Sequence, residues 1–494
     1  MADASGYRTI FKSTFLFGFV QVFNIAVKVG LNKVVAILLG PVGMGIISLY
    51  NTTIQLISVG AGLGINQSAV RDISESRGFD DKDKIDTTIS FVKQIIRYTS
   101  LLGIIITVAL SPFLSEWTFG NKDYTWGYVI VSLAVGATIQ TNGYRAINTG
   151  MRQLRNVAYS TILGAVAGLI CGVPLYFFLG DDGIVPSLVT SSIATLLISK
   201  YYAEKIKYQR KNLSIREAFG RSSNMIKMGV SLMLMSFMLS AVQLIISSYI
   251  SSHGGVKIVG LYQAGATIVT SYFGIIITAM STDYYPRISS FHNDNVKLND
   301  AVNSQSEVGL LMALPLAVVF IFLAPVFLRF LYSEQFTVAT DYLDYAIFGT
   351  ITIIASNSMG MILLAKQKSK LFLWSSLMSN FIILIVNIIA YNLLGLKGLG
   401  MAYMINGIMQ FSLNDLIMWH FYKIRFSGTT VLLLFSVFIC IGLSIYFRSI
   451  AFLLIKRILA GLLFFMVSTY SIYRLNKIMD LDLTHRIIAL IRKW

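Results

Sequence analysis

A chain of 494 residues that is 55% hydrophobic, 13% charged and of mean hydropathy +0.70 cannot be a water-soluble globular protein, whose charged share is about a quarter. Its formal charge of +17 does not make nucleic acid a partner, because the lysines and arginines collect in short connections between apolar spans, as on the cytoplasmic face of a membrane protein. Apolar runs of 20 or more residues, with 38 glycines and 7 prolines, exclude a β-barrel, whose strands need about ten alternating residues, and predict an all-α integral membrane protein.

In chain order the predicted spans are 12–39, 42–69, 91–112, 124–149, 157–179, 183–203, 226–251, 258–285, 307–330, 341–365, 371–394, 398–421, 428–447 and 451–473. That makes about fourteen transmembrane helices, the last interrupted by Lys456 and Arg457. The first span is too long for a signal segment and is read as retained. With the N-terminus inside, the basic loops (Arg71–Lys93, Lys200–Lys227, Lys366–Lys370 and the chain from Arg474 on) all fall inside. The outer loops keep few cations, Lys122, Lys257, Lys397 and Arg448 among them, so both termini are expected in the cytoplasm. Cys171 and Cys440 lie within spans and the four histidines lie far apart, so no disulfide, metal site or cofactor is expected.

The segment 200–227, "KYYAEKIKYQRKNLSIREAFGRSSNMIK", divides the chain into six spans and eight. Across it, "LGPVGMGIISLYNTTIQLISVGAGLGINQSAVRDIS" finds a partner in "IVGLYQAGATIVTSYFGIIITAMSTDYYPRIS". Likewise "RQLRNVAYSTILGAVAGLICGVPLYFFLGDDG" matches "AKQKSKLFLWSSLMSNFIILIVNIIAYNLLGLKG", with Gly180 and Gly183 answering Gly395 and Gly398. Two matched pairs in one order predict a repeated six-helix lobe. The expected organisation is an N-lobe at 1–205, a linker at 206–225, a C-lobe at 226–425, two further helices at 426–474 and a basic tail at 475–494.

The first span carries a polar stripe, Gln21, Asn24, Lys28 and Asn32, on one side of a helix. Lys28 sits twelve residues from Gly40, about 18 Å of helix and so near the midplane of a 30 Å hydrocarbon core. A lysine there costs roughly 2.5–3.5 kcal/mol on insertion scales. Other stripes contain Asn51 and Gln55, Asn142 and Arg145, Gln263, and Asn406 and Gln410. The deep charges are mostly positive (Lys28, Lys33, Arg97, Arg145, with Arg287 at an inner mouth), against Asp283 and Asp415. Such stripes serve either as glue between helices or as the lining of a wet cavity. The lysines favour a cavity that receives an anionic substrate with hydrogen-bonding groups. Asp283 and Arg287 are spaced to pair with each other, and Asp283 or Asp415 would be the groups for coupling to a cation gradient.

The segment 38–75, "LLGPVGMGIISLYNTTIQLISVGAGLGINQSAVRDISE", resembles bacterial polysaccharide flippases of the Wzx group in the multidrug/oligosaccharidyl-lipid/polysaccharide exporter superfamily. The matching features are its LGP-x-G-x-G junction, a glycine-rich end to the second span and a basic residue leading into a polar loop. The span count and the two extra spans extend the likeness along the chain. The resemblance implies two six-helix lobes in a V around a central cavity that opens alternately to either side. It implies a substrate, the undecaprenyl-pyrophosphate-linked oligosaccharide repeat unit, moved across the bacterial cytoplasmic membrane, with membrane lipids, a polysaccharide polymerase and chain-length proteins as partners. Basic cavity residues would meet the pyrophosphate. Lys33 falls where related flippases place one, Arg287 is a looser match, and the last two spans would hold the polyprenyl tail. A lipid II flippase and a cation-binding multidrug exporter are the alternatives within the superfamily. A membrane glycosyltransferase or polymerase would need placed acid–base groups, and the short outer loops offer no domain for them.

Overall fold

The computed structural model describes residues 4–78, 81–211, 223–366 and 368–479. Every regular element among them is a helix: α1 (Ala4–Leu38), α2 (Gly40–Ala61), α3 (Ile65–Gly78), α4 (Lys82–Ala109), α5 (Ser111–Phe119), α6 (Thr125–Gly150), α7 (Leu154–Leu179), α8 (Ile184–Glu204), α9 (Ser223–Gly254), α10 (Val256–Thr267), α11 (Gly274–Ser290), α12 (Asn295–Phe322), α13 (Ala324–Leu331), α14 (Thr340–Ala365), α15 (Ser369–Tyr422), α16 (Gly428–Ser449) and α17 (Leu453–Met479), with short 3₁₀ and π turns between some of them. Ten stretches of the described residues are long and apolar enough to cross a membrane. Two of these, Leu154–Glu204 and Leu371–Tyr422, have the length of two crossings at about 20 residues each. The spans expected at 12–39 and 124–149 fall on α1 and α6, which are helical but lie outside those ten.

The chain forms two compact units. The first is Met1–Leu261 with Leu331–Ser333 and so includes α9; the second is Tyr262–Phe330 with Glu334–Trp494. In the first, α6 is central, packed by α3, α4 and α8, while α1 lies on α7 and α9 lies on α2 and α3. One apolar core there joins Ile65, Ile73, Ile89, Phe91, Ile96, Tyr144 and Ile147. In the second, α14 takes that central place against α11, α12 and α15, and both α16 and α17 pack on α12. Its core joins Tyr284, Ile288, Leu298, Val302, Met359, Ile362 and Met418.

The repeat is written into the backbone. Helices α4 and α12 are each 28 residues long, each starts behind an aspartate cap, and each ends at a leucine of similar conformation. Asp81 accepts the Lys84 N–H, and Asp294 accepts those of Val296 and Lys297. The C-terminal leucines are Leu110 (φ −90°, ψ 0°) and Leu323 (φ −95°, ψ 8°). A short helix with proline in its first turn then follows in both halves, Pro112 in α5 and Pro325 in α13. Next come the 26-residue helices α6 and α14.

The hairpin turns agree most closely. Gly180 has φ 58° and ψ −132°, and Gly395 has φ 60° and ψ −135°, a region that side chains exclude. Three residues on, a Cβ at Gly183 would lie 2.2 Å from the Leu175 carbonyl oxygen, and one at Gly398 would lie 1.9 Å from that of Ala390. Residues eight apart on a straight helix are about 12 Å apart, so the chain doubles back at both places.

Three boundaries differ from expectation. The second span stops at Ala61, where Leu63 and Gly64 take positive φ and α3 leaves as a separate helix. A Cβ at Gly64 would be 1.9 Å from the Gly229 carbonyl oxygen, so close approach to α9 demands glycine there. The expected outer loop Ser111–Tyr124 contains α5, held by the Thr118 hydroxyl 2.8 Å from the buried Tyr128 hydroxyl. The eighth span is interrupted by a π-helical turn at Ile268–Tyr272. Most of the expected linker (212–222) and of the basic tail (480–494) lies outside the described residues.

Candidate functional site

On α1, Gly30 faces Leu169 of α7, 3.9 Å from where a Cβ would stand. Lys28 lies two residues away, about 200° around the helix, and so projects from the opposite side. It is exposed and pairs with no carboxylate or other polar group among the described residues. Asn24, one turn earlier, is half-buried, and the side chain of Gln21 lies outside the described set. Lys33 is half-buried and donates from Nζ to the Tyr332 carbonyl oxygen at 2.6 Å, within the first unit.

Helix α2 buries Leu49, Tyr50, Thr53, Ile54 and Ile57, yet Asn51 and Gln55, one turn apart on another face, are exposed. Val59, the next residue of that row, borders a small cavity of about 60 Å³. Ser58, Asn66, Gln67, Asn142 and Ser236 supply its polar wall. At about 30 Å³ per water it has room for one or two molecules, far below the roughly 300 Å³ at which ligand pockets begin.

Arg97 is exposed on α4 without an ion-pair partner among the described residues. Arg145 is half-buried on α6, and its Nε is buried without a hydrogen-bond partner. The described carboxylates of the first unit lie on the short helix α3, near other helix ends and in turns: Asp72, Glu75, Asp81, Asp83, Asp86, Glu116, Asp123, Asp181, Asp182 and Glu204. Asp72 itself is half-buried on α3, and burial pushes its carboxyl above the usual range, with Arg71 opposing. Lys28 and Arg97 are thus exposed cations with no acid partner among the described residues of this unit, and Arg145 is half-buried with its Nε unpartnered.

The second unit is different. Arg287 donates to Gln305 Oε1 at 3.0 Å and lies over the Tyr284 ring; its expected partner Asp283 has a side chain outside the described set. Gln263 donates to Thr267 across the start of the π turn. Asn406 is half-buried with its Oδ1 unpartnered, and Gln410 is exposed one turn further. Asp415 accepts the Phe426 N–H at 3.1 Å, which makes it a pin for the chain after α15. The structure thus groups Lys28, Asn51, Gln55, Asn142 and Arg145 in one unit, and Gln263, Arg287, Asn406 and Gln410 in the other.

Two features were not foreseen. Arg448 pairs with Asp344 and donates to the Ile321 carbonyl, and Arg474 pairs with Glu307 at 3.6 Å, fixing α16 and α17 to the second unit. A stripe on α12, Asn295, Asn299, Asn303 and Glu307, engages the chain between α15 and α16. Its spacing of four was visible in the sequence; the partners were not.

Residues 34–341, more than half of the chain, match a family described as polysaccharide biosynthesis protein. The chain belongs to that family. Among relatives of the polysaccharide biosynthesis protein is the lipid III flippase of Escherichia coli (strain K12), 23% identical over 402 residues that cover 78% of this chain and 94% of that protein. The lipid III flippase of Shigella flexneri matches equally. In fold, the chain is similar to the lipid II flippase MurJ in an inward closed conformation, with TM-score 0.73 and 16% identity, over 94% of this chain and 99% of the other. It is also similar to an inward-facing multidrug resistance transporter of the multidrug/oligosaccharidyl-lipid/polysaccharide superfamily, with TM-score 0.61 and 16% identity over 82% and 96%. The chain is thus a member of the polysaccharide biosynthesis protein family with the helical fold that these solved transporter structures share.

Proposed function

We propose that this polysaccharide biosynthesis protein flips an undecaprenyl-pyrophosphate-linked oligosaccharide repeat unit, of O-antigen or a related polysaccharide, from the inner to the outer leaflet of the bacterial cytoplasmic membrane by alternating access. The observation that carries the reading is Lys28: a mid-helix ammonium, exposed and without an acid, on a unit that also leaves Asn51 and Gln55 open. A cation kept in an apolar span at a cost of roughly 2.5–3.5 kcal/mol needs a compensating anion, and a pyrophosphate supplies it. Lys33, Arg97 and Arg145 add to the same positive field, while the amides accept and donate hydrogen bonds to sugar hydroxyls. A polysaccharide polymerase and chain-length proteins would consume the flipped unit.

Lys28→Ala should cut flipping at least about tenfold, the loss of roughly 1.4 kcal/mol of anion stabilisation, while leaving the amount of inserted protein unchanged. Lys28→Arg should retain most activity. The assay is restoration of surface polysaccharide in a flippase-deficient strain; normal polysaccharide from a Lys28→Ala, Lys33→Ala double variant would remove the site. The fold likeness to a lipid II flippase supports a second reading, with a peptidoglycan precursor as cargo. Rescue of a lipid II flippase-deficient strain, and not of a polysaccharide-deficient one, would select it. Both readings place the termini inside. Cysteines at Lys122 and Lys257 should then react with an impermeant reagent from outside, and those at Lys82 and Lys207 should not.

A further inference from the structure

Few residues of the α7–α8 hairpin are fully buried, and its open end carries a pattern that transport does not use. On α7, Arg155, Tyr159 and Leu163 follow at intervals of four; at the end of α8 the same order runs backwards from the capping residue Lys205 through Tyr201 to Leu197. Residues four apart are about 40° apart around a helix, so each set forms one ridge. All six side chains are exposed, Tyr159 at 52% and Tyr201 at 59%. The ridges meet at the hairpin's open end. The Tyr159 ring stacks on Tyr202 with centroids 6.0 Å apart, and Asn156 Nδ2 donates to the Tyr202 carbonyl oxygen at 3.4 Å. Lys205 Nζ lies 4.5 Å over the Tyr201 ring and 4.8 Å over that of Tyr202. The adjacent carboxylate, Glu204, is taken by Lys200 at 3.9 Å. Arg155 and Lys205 are left without an acid among the described residues.

We infer that this end of the hairpin binds an anionic phospholipid. From the tip inward, the order cation, tyrosine, leucine is the order of phosphate, glycerol-ester level and acyl chain in a phospholipid. Tyrosine rings favour the headgroup level of a bilayer, and basic residues there attract anionic lipids. Arg155 and Lys205 approach the phosphate from two helices, Tyr159 and Tyr201 flank the ester region, and Leu163 and Leu197 run along the chains. A zwitterionic lipid brings its own ammonium into the same cationic corner, so the site discriminates by charge. The inference does not rest on the transport reading.

The test is native mass spectrometry of the purified full chain with phosphatidylglycerol or phosphatidylcholine at equal concentration. Phosphatidylglycerol should be retained at least threefold more strongly. The Arg155→Ala, Lys205→Ala double variant should lose one tightly held phosphatidylglycerol per chain, while Arg155→Lys with Lys205→Arg keeps it. Arg155→Gln alone, which removes the charge but keeps a polar side chain, should lower retention about twofold and serves if the double variant folds poorly. Equal retention of the two lipids overturns the inference, as does unchanged phosphatidylglycerol binding in the alanine variant or in Arg155→Gln. Competition by soluble glycerophosphoglycerol at the lipid's own concentration would also overturn it, since the site would then read a phosphate ester without the chains.

Discussion

In the first unit the chain leaving α8 is met by one hydroxyl of α4: the Lys211 N–H donates to Ser90 Oγ at 3.1 Å, beside an ion pair of Lys211 with Asp83. In the second unit the chain leaving α15 meets the equivalent helix, α12, and is gripped along three turns. Asn299 Oδ1 accepts the Arg425 N–H at 2.9 Å, and Asn303 accepts the Ser427 N–H at 2.7 Å and donates to the Arg425 carbonyl at 3.0 Å. Glu307 takes the Thr429 hydroxyl at 2.9 Å and pairs with Arg474. The same helix does the same task in both halves, but only the second must orient two more helices, α16 and α17. The contrast teaches that a polar row at spacing of four has two fates. Where a chain end needs partners, as beside α12, the row is consumed by backbone groups. Where none is near, as at Asn51 and Gln55, it stays open.

The largest way to break the equivalence of the halves is at the hairpin turns. Gly183→Val and Gly398→Val each force a side chain onto a backbone carbonyl about 2 Å away and should strongly reduce folded protein in the membrane, by comparable amounts. Monodispersity on size-exclusion chromatography is the measure; tolerance at one site and collapse at the other would show that the turns are not equivalent. Next is the grip itself. Asn303→Ala should cost about 2–3 kcal/mol for its several hydrogen bonds, and Ser90→Ala about 1 kcal/mol for one. Equal shifts in thermal unfolding would contradict the asymmetry. Glu307→Gln keeps a polar group for Thr429 but removes the charge facing Arg474, and should cost about 1 kcal/mol.

The smallest effect concerns the caps. The Lys297 backbone N–H holds the exposed Asp294 carboxyl below its ordinary value, outweighing a small desolvation that raises it; the Lys297 side chain and the Val296 N–H add to the lowering. The folded-state value is depressed, so the stabilisation is present above the unfolded carboxylate pKa of about 3.9 and is lost as pH falls through the lower folded value. Asp294→Ala should remove that acid-range dependence from a series of unfolding curves, whereas a variant that keeps it would locate the titration elsewhere.

Much of the fold was legible because hydropathy and glycine spacing are local. The membrane class, the positions of most long helices and both matched pairs follow from patterns within about thirty residues. The break at Leu63–Gly64 was not legible, since the glycine is demanded by the Gly229 backbone of α9, far along the chain. Among the candidate residues, Lys28, Asn51 and Gln55 were proposed from depth and facing, and the structure leaves all three exposed. The engagement of Lys33 by the Tyr332 carbonyl and of Asp415 by the Phe426 N–H could not, because a backbone partner carries no residue signature.

By itself, then, the sequence determined a helical membrane protein with a repeated order of helices and cations within its apolar stretches, because burial in hydrocarbon restricts residue type position by position. Only the tertiary structure decided which of those polar groups are spent on other parts of the chain and which remain open. That choice depends on distances between helices remote in sequence, and a hydrogen bond is won or lost over less than an ångström.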